Sequence, residues 1–417
     1  MYAYNVQSRQ IELKPQGCLI AFGLMRRLLV VGLALLPLIA GDIDTARLAR
    51  IPARMQQMVD RGEVAGTVVL VARHGNVALF EATGYQDLEA RKPMRKDSIF
   101  QIMSMTKQFT GVGIMMLMEE GKLSLLDPVE KFVPAFKGQM VSEHITNFQS
   151  PSHPPARPIT IRDLMTHTSG MWGPAEGDML LQKMDRSLKD AVDGFAKLPL
   201  AFEPGTKWSY SNPGIATLGR IIEVVSDQPF DKFITDRILT PLGMTDSFFF
   251  PPTDKKDRIC AVYDRRNGKL VKVGDEALAG DPMKFRKGAI YPGPEYGLYS
   301  TAHDLSQFYQ MMANHGTLNG RRLLSKTSVD VMTSVQTGDL KAGWLPGEGE
   351  GLTWEVVKDP IGTLTLLSKG TFNHGGAFGT HGWVDPSKDL VGVFLVQGGN
   401  VDEVKRSVFQ MIGAAID

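Results

Sequence analysis

Cysteine is nearly absent: two residues in 417, Cys18 and Cys260, cannot build a disulfide framework, and neither has neighbours at metal-ligand spacing. Histidine is also sparse, and the eight present give no His-x-His and no His-Glu-x-x-His, which excludes a zinc hydrolase signature. No Gly-x-Ser-x-Gly occurs, which speaks against the strand–elbow–helix nucleophile of the α/β-hydrolase fold. Neither sign of charge dominates. With a formal net charge of +1 and no long basic run, the chain lacks a nucleic-acid surface. Internal repeats and low-complexity tracts are absent too.

Long apolar runs are limited to one. Arg26 and Arg27 precede an apolar stretch that closes on Pro37 and Ala40, too short for a confident membrane span. This is the form of a secretory signal peptide. Residues 1–40 are therefore expected to be an upstream extension plus leader, with translation starting at Met25. Export to a periplasm or the cell exterior follows, with no stable membrane insertion after cleavage; an uncleaved anchor is the alternative. Residues 41–417 are long enough for a large core.

The chemistry begins at Ser104-Met105-Thr106-Lys107. Residues 104–121 have helical character and are mostly apolar all round, which predicts a buried helix. Positions i and i+3 share a helix face, so hydroxyl and amine can touch. Burial strips the amine of hydration and disfavours its charged form. A neutral amine can take the proton of a neighbouring serine and make it a nucleophile. The competing reading is a lysine that snorkels out of a half-buried helix.

Two further segments carry polar groups in promising contexts. Trp208-Ser209-Tyr210-Ser211-Asn212 follows a Glu-Pro-Gly turn, and in extended backbone Tyr210 and Asn212 would point the same way. A phenol near an ammonium can act as base or acid; alternatively Tyr210 is an amphipathic loop residue and Asn212 a turn former. His374-Gly375-Gly376-Ala377 lies between two predicted strands, where two glycines admit close approach to the backbone. His374 could donate to a substrate, or be a surface histidine in a hairpin turn. His167 and Ser169 form a tempting pair, but their loop is expected to be structural.

Elsewhere, helices are expected over 44–60, 215–225, 230–239, 302–314 and 401–415. Strands are expected over 66–73, 77–82, 351–357, 364–368, 379–384 and 390–396. Thr160 to Asp163 has the pattern of a capping box. Strands near both termini with helices between predict an α+β fold: one sheet flanked by helices, with a helical subdomain inserted.

Ser-x-x-Lys, Tyr-x-Asn about a hundred residues later and His-Gly-Gly near the C-terminus together resemble the serine β-lactamase and penicillin-binding protein superfamily. The second motif looks like the class C pattern. The text at 161–170, 241–244 and 297–302 is similar as well. The resemblance implies an antiparallel sheet flanked by helices, a sheet part near 42–125 and 285–417, and a helical part near 126–284. It implies an acyl-enzyme on Ser104, activation by Lys107, proton transfer by Tyr210, and orientation by Asn212, with the backbone N–H groups of Ser104 and Ala377 as oxyanion hole. No cofactor or metal is implied. One departure is instructive: the family's Lys-Thr-Gly is replaced by His374, Gly375 and Gly376, which leaves less to hold a substrate carboxylate. The expectation is a serine hydrolase for small carboxylic esters, similar to the family VIII carboxylesterases. The alternatives are a β-lactamase or D,D-peptidase, and a penicillin-binding sensor without turnover. The partner is a small-molecule ester or β-lactam.

Overall fold

The computed structural model describes residues 43–142, 151–172, 185–274, 286–363, 365–399 and 401–416. The expected leader, with Met25 and Cys18, lies outside them.

At the centre is an eight-stranded antiparallel sheet. Its order runs Glu348–Glu350, Glu355–Val357, Phe372–Gly375, His381–Asp385, Leu390–Val396, Gly66–Arg73, Asn76–Asp87, Lys92–Pro93. Val68 faces Leu395 on one side and Ala82 on the other. Gly66–Arg73 is an almost unbroken apolar run because both faces of the sheet are covered. Val68, Leu70 and Ala72 enter one core, while Val69 and Val71 enter the other. The second core is closed by the helices Ile51–Asp60 and Asp402–Gly413. The first is continuous with Phe109, Ile215 and Phe233, so the middle helices share their core with the sheet.

From Thr106 to Leu117 every residue of the helix Thr106–Glu119 is buried. It packs on the helix Asn212–Ser226, where a Cβ at Gly113 would lie 2.9 Å from Ile222 Cδ1. Glu119 and Glu120 oppose the helix dipole at its last turn. The structure supplies the reason: Glu119 accepts the Ser325 N–H at 2.7 Å, and Glu120 pairs with Arg237 and Lys122. The capping box forms as expected, with the Thr160 side chain on the Asp163 N–H and the Asp163 carboxylate on the Thr160 N–H.

Three segments differ from expectation. Residues 44–60 form two helices, Thr45–Leu48 and Ile51–Asp60, because Pro52 in the first turn of the second cannot continue an earlier helix. Residues 351–357 are not one strand: the chain turns between Glu348–Glu350 and Glu355–Val357, with Thr353 at φ +67° held by its N–H on the Met165 carbonyl at 2.8 Å. No strand forms over 365–368; Leu366 has φ +60°, and the Ser368 N–H bonds to Asp385 instead of a ladder partner. Among the described residues no helix is long and apolar enough to cross a membrane. Cys260 is a buried core residue whose thiol is pushed up by burial.

Candidate active site

Ser104 sits at the junction of sheet and helix. The short strand Phe100–Gln101 pairs with Tyr299–Ser300 and delivers the chain to a 3-10 turn, Met103–Met105. Met103 has φ +51°, a left-handed conformation that a side chain of its kind seldom adopts, directly before the serine. Thr106 fixes this turn: its hydroxyl donates to the Met103 carbonyl at 2.7 Å and accepts the Leu298 N–H at 3.1 Å.

One helical turn on, Lys107 is fully buried, which removes the snorkelling alternative. Its Nζ donates to Ser104 Oγ at 3.0 Å and to the Glu295 carbonyl at 2.8 Å. The segment carrying Glu295 is stapled to the same helix by the Thr110 hydroxyl on the Pro294 carbonyl, at 2.7 Å. Lys107 Nζ also lies 4.8 Å from the centre of the Tyr210 ring. Serine, lysine and tyrosine are thus brought together from segments a hundred residues apart.

The backbone around Tyr210 is not extended through Asn212, as the alternate-position reading expects. Ser211 caps a helix, its hydroxyl accepting the Gly214 N–H at 3.1 Å, and Asn212 is the first helical residue. The cause is local: a serine cap and Pro213 in the first turn are both strong helix starters. Ser-Asn-Pro was a readable signal.

His374 is in the strand Phe372–Gly375 and is 2% exposed, so it is no surface turn residue. Burial, then the charge of Lys107, lowers its pKa to about 3, leaving the ring neutral at ordinary pH. Its Nδ1 lies 2.7 Å from the Gly375 carbonyl, which can only accept. The proton is therefore on Nδ1, and Nε2 is an acceptor, not the donor that the sequence reading offered to a substrate. Gly376 is pressed against the serine turn. A Cβ there would lie 2.4 Å from the Ile102 carbonyl and 2.2 Å from Thr380 Oγ1, and Thr380 itself donates to Ile102 at 3.1 Å. This approach sets Gly376 against Ile102, the residue just before the serine turn.

Of two further neighbours, sequence reasoning placed His167 in a structural loop without its partners and did not single out Trp344. His167 is buried, as is Ser169, but the two do not pair. Ser169 accepts the Met171 N–H, whereas His167 holds both flanks of Tyr210. Its carbonyl accepts the Ser209 N–H at 2.9 Å, its Nδ1 accepts the Ser211 N–H at 3.1 Å, and its ring lies 4.6 Å from the tyrosine ring. Burial, then the charges of Lys107 and His374, holds its pKa well below the usual value. The second is Trp344. Its ring lies 5.2 Å from Tyr210 and 5.8 Å from Trp208, and its indole N–H donates to Glu355 at 3.0 Å. Nothing in the turn at 343–347 marks it, because its partners are remote in sequence.

Glu355 is buried, and burial followed by repulsion from Glu348 pushes its carboxyl up to about 8; Glu350 is raised well above its usual value, by burial and then by Glu355. A carboxyl that stays neutral when folded but ionises near 4.5 when unfolded favours unfolding as pH rises. Stability conferred by neutral Glu355 is full below about pH 4.5 and is lost progressively up to about pH 8. Glu355→Gln keeps the acceptor for Trp344 and removes the titration. Its melting temperature is expected to exceed wild type at pH 8, with a shallower decline from pH 5 to 8. Parallel melting curves for the two proteins would contradict the assignment.

The arrangement defines a class: a serine hydroxyl in contact with a buried amine that also lies over a tyrosine ring. The Beta-lactamase family matches residues 51–414, and the chain belongs to this family of hydrolases. Protein Rv1367c of Mycobacterium tuberculosis is 33% identical over 364 residues, covering 83% of this chain and 88% of that protein. Esterase EstB of Burkholderia gladioli is 29% identical over 373 residues, covering 82% and 88%. Among solved structures, EstCE1, a hydrolase with promiscuous acyltransferase activity, superposes with a TM-score of 0.76 at 25% identity, covering 89% of this chain and 99% of that one.

Proposed function

We propose that the protein hydrolyses small carboxylic esters through an acyl-enzyme on Ser104. The observation that carries this is the 3.0 Å contact between Ser104 Oγ and the fully buried Lys107 Nζ. In its neutral form Lys107 takes the hydroxyl proton as Ser104 Oγ attacks the ester carbonyl carbon. The backbone N–H groups of Ser104 and Ala377 hold the resulting oxyanion. The carbon–oxygen bond to the alcohol breaks as Tyr210 gives its proton to the leaving oxygen, and Lys107 then restores that proton to Tyr210. Water then attacks the acyl carbon and passes its proton through Tyr210 to Lys107; the bond to Ser104 Oγ breaks, Ser104 takes that proton back, and the acid is released. Asn212 orients Lys107 and the substrate from the start of its helix.

The preference for esters over β-lactams rests on His374, Gly375 and Gly376. A β-lactam presents a carboxylate that wants a cation or a hydroxyl. Here the third motif offers a neutral ring with an acceptor nitrogen and two glycines. The resemblance to a protein named as an esterase supports the same choice. β-Lactam hydrolysis by the same serine is the second reading.

Turnover of p-nitrophenyl butyrate and of a chromogenic cephalosporin separates them. The ester is expected to be favoured in kcat/KM by more than about tenfold, the scale of a few lost polar contacts. Equal or better turnover of the cephalosporin would move the assignment to β-lactamase.

A further inference from the structure

Trp344 is 61% exposed, yet it is held at two points, and its neighbour Leu345 at a third. The indole N–H bonds to the buried Glu355, and the Glu348 carboxylate accepts the backbone N–H groups of Trp344 and Leu345 at 2.7 and 3.0 Å. Surface tryptophans seldom have such anchoring, and burying carboxyls to supply it is costly. The ring stands at 87° to Trp208 and at 56° to Tyr210, so the three rings form an aromatic corner. Leu345 beside it is 39% exposed and extends the apolar surface. A rigid, solvent-facing corner of aromatic faces is suited to a flat apolar group that stacks edge-to-face or offset.

We infer that this corner is a subsite for a planar aromatic group on the alcohol portion of the ester. The side is set by Tyr210: it is the site residue that Trp344 touches, and in the mechanism above it protonates the leaving alcohol. The inference rests on that reading of Ser104 and Tyr210. It adds the substrate class, namely esters of aryl-bearing alcohols. Trp344 and Trp208 bind the ring, and Glu355 and Glu348 position Trp344 without touching substrate.

The test compares benzyl acetate, ethyl acetate and ethyl phenylacetate with wild type, Trp344→Ala and Trp344→Phe. The ratio of kcat/KM for benzyl over ethyl acetate is expected to fall about tenfold in Trp344→Ala, mainly through KM, and to recover in part in Trp344→Phe, as loss and partial return of an aromatic contact predict. Benzyl alcohol, as product inhibitor, is expected to bind Trp344→Ala correspondingly more weakly. An unchanged ratio would overturn the inference, and a loss confined to ethyl phenylacetate would overturn the assignment to the alcohol side. Ser104→Ala distinguishes the underlying reading: if it still hydrolyses all three esters, the acyl-enzyme fails, whereas an unchanged ratio in an enzyme that needs Ser104 removes the subsite alone.

Discussion

Ser104→Ala is expected to lower hydrolysis of p-nitrophenyl butyrate by roughly ten-thousandfold or more, the scale seen when a nucleophile that acts as part of a unit is deleted. The remaining rate would come from substrate binding and oxyanion stabilisation, which the substitution leaves in place. Folding should survive. Ser104 is half-buried, and its hydroxyl is held by Lys107, whose amine keeps the Glu295 carbonyl as partner. Intact-mass measurement during turnover checks the chemistry directly. Wild type should show a transient adduct of one acyl group, and the variant none. An adduct that persists in Ser104→Ala would place the nucleophile elsewhere.

Lys107→Met is expected to cost roughly a thousandfold in kcat/KM, within the range for loss of a positioned base. Methionine fills similar volume without a charge. The substitution exchanges a fully buried amine for an apolar group, so thermal stability should be retained or raised. This combination discriminates: a purely structural lysine would show the reverse, with stability lost and turnover of the folded fraction kept. Burst kinetics should locate the defect in acylation, since Ser104 then keeps its proton. Turnover within tenfold of wild type would mean that another group, such as Tyr210, serves as base.

Legibility in the sequence followed the range of the interactions involved. The Ser104–Lys107 pair was readable because three residues on an apolar helix fix a geometry. The Thr160–Asp163 box and the strand Gly66–Arg73 were readable for the same reason. Asn212 was misplaced although Ser211 and Pro213 mark a helix start, because alternation was applied across a boundary that the cap defines. The contacts of His167, whose loop was read as structural, and the whole role of Trp344 were beyond reach. The first acts through the amide of Ser211 and the second through the rings of Trp208 and Tyr210, and neither contact leaves a local pattern. The polarity of His374 also needed the fold, since only its strand position shows which ring nitrogen is committed to the Gly375 carbonyl.

The pairing of Gly66–Arg73 with Leu390–Val396 has a consequence for synthesis on the ribosome. Val68 leaves the exit tunnel on the order of tens of seconds before Leu395 at ordinary translation rates. Throughout that interval the hairpin formed with Asn76–Asp87 carries an open, valine-rich edge, a template for wrong pairing. The nascent chain must be shielded, or kept from folding, until its final strands emerge. Ser104 and Lys107 are made early, whereas His374, Gly376 and Ala377 come late, so no partly made chain can hold all of the proposed site.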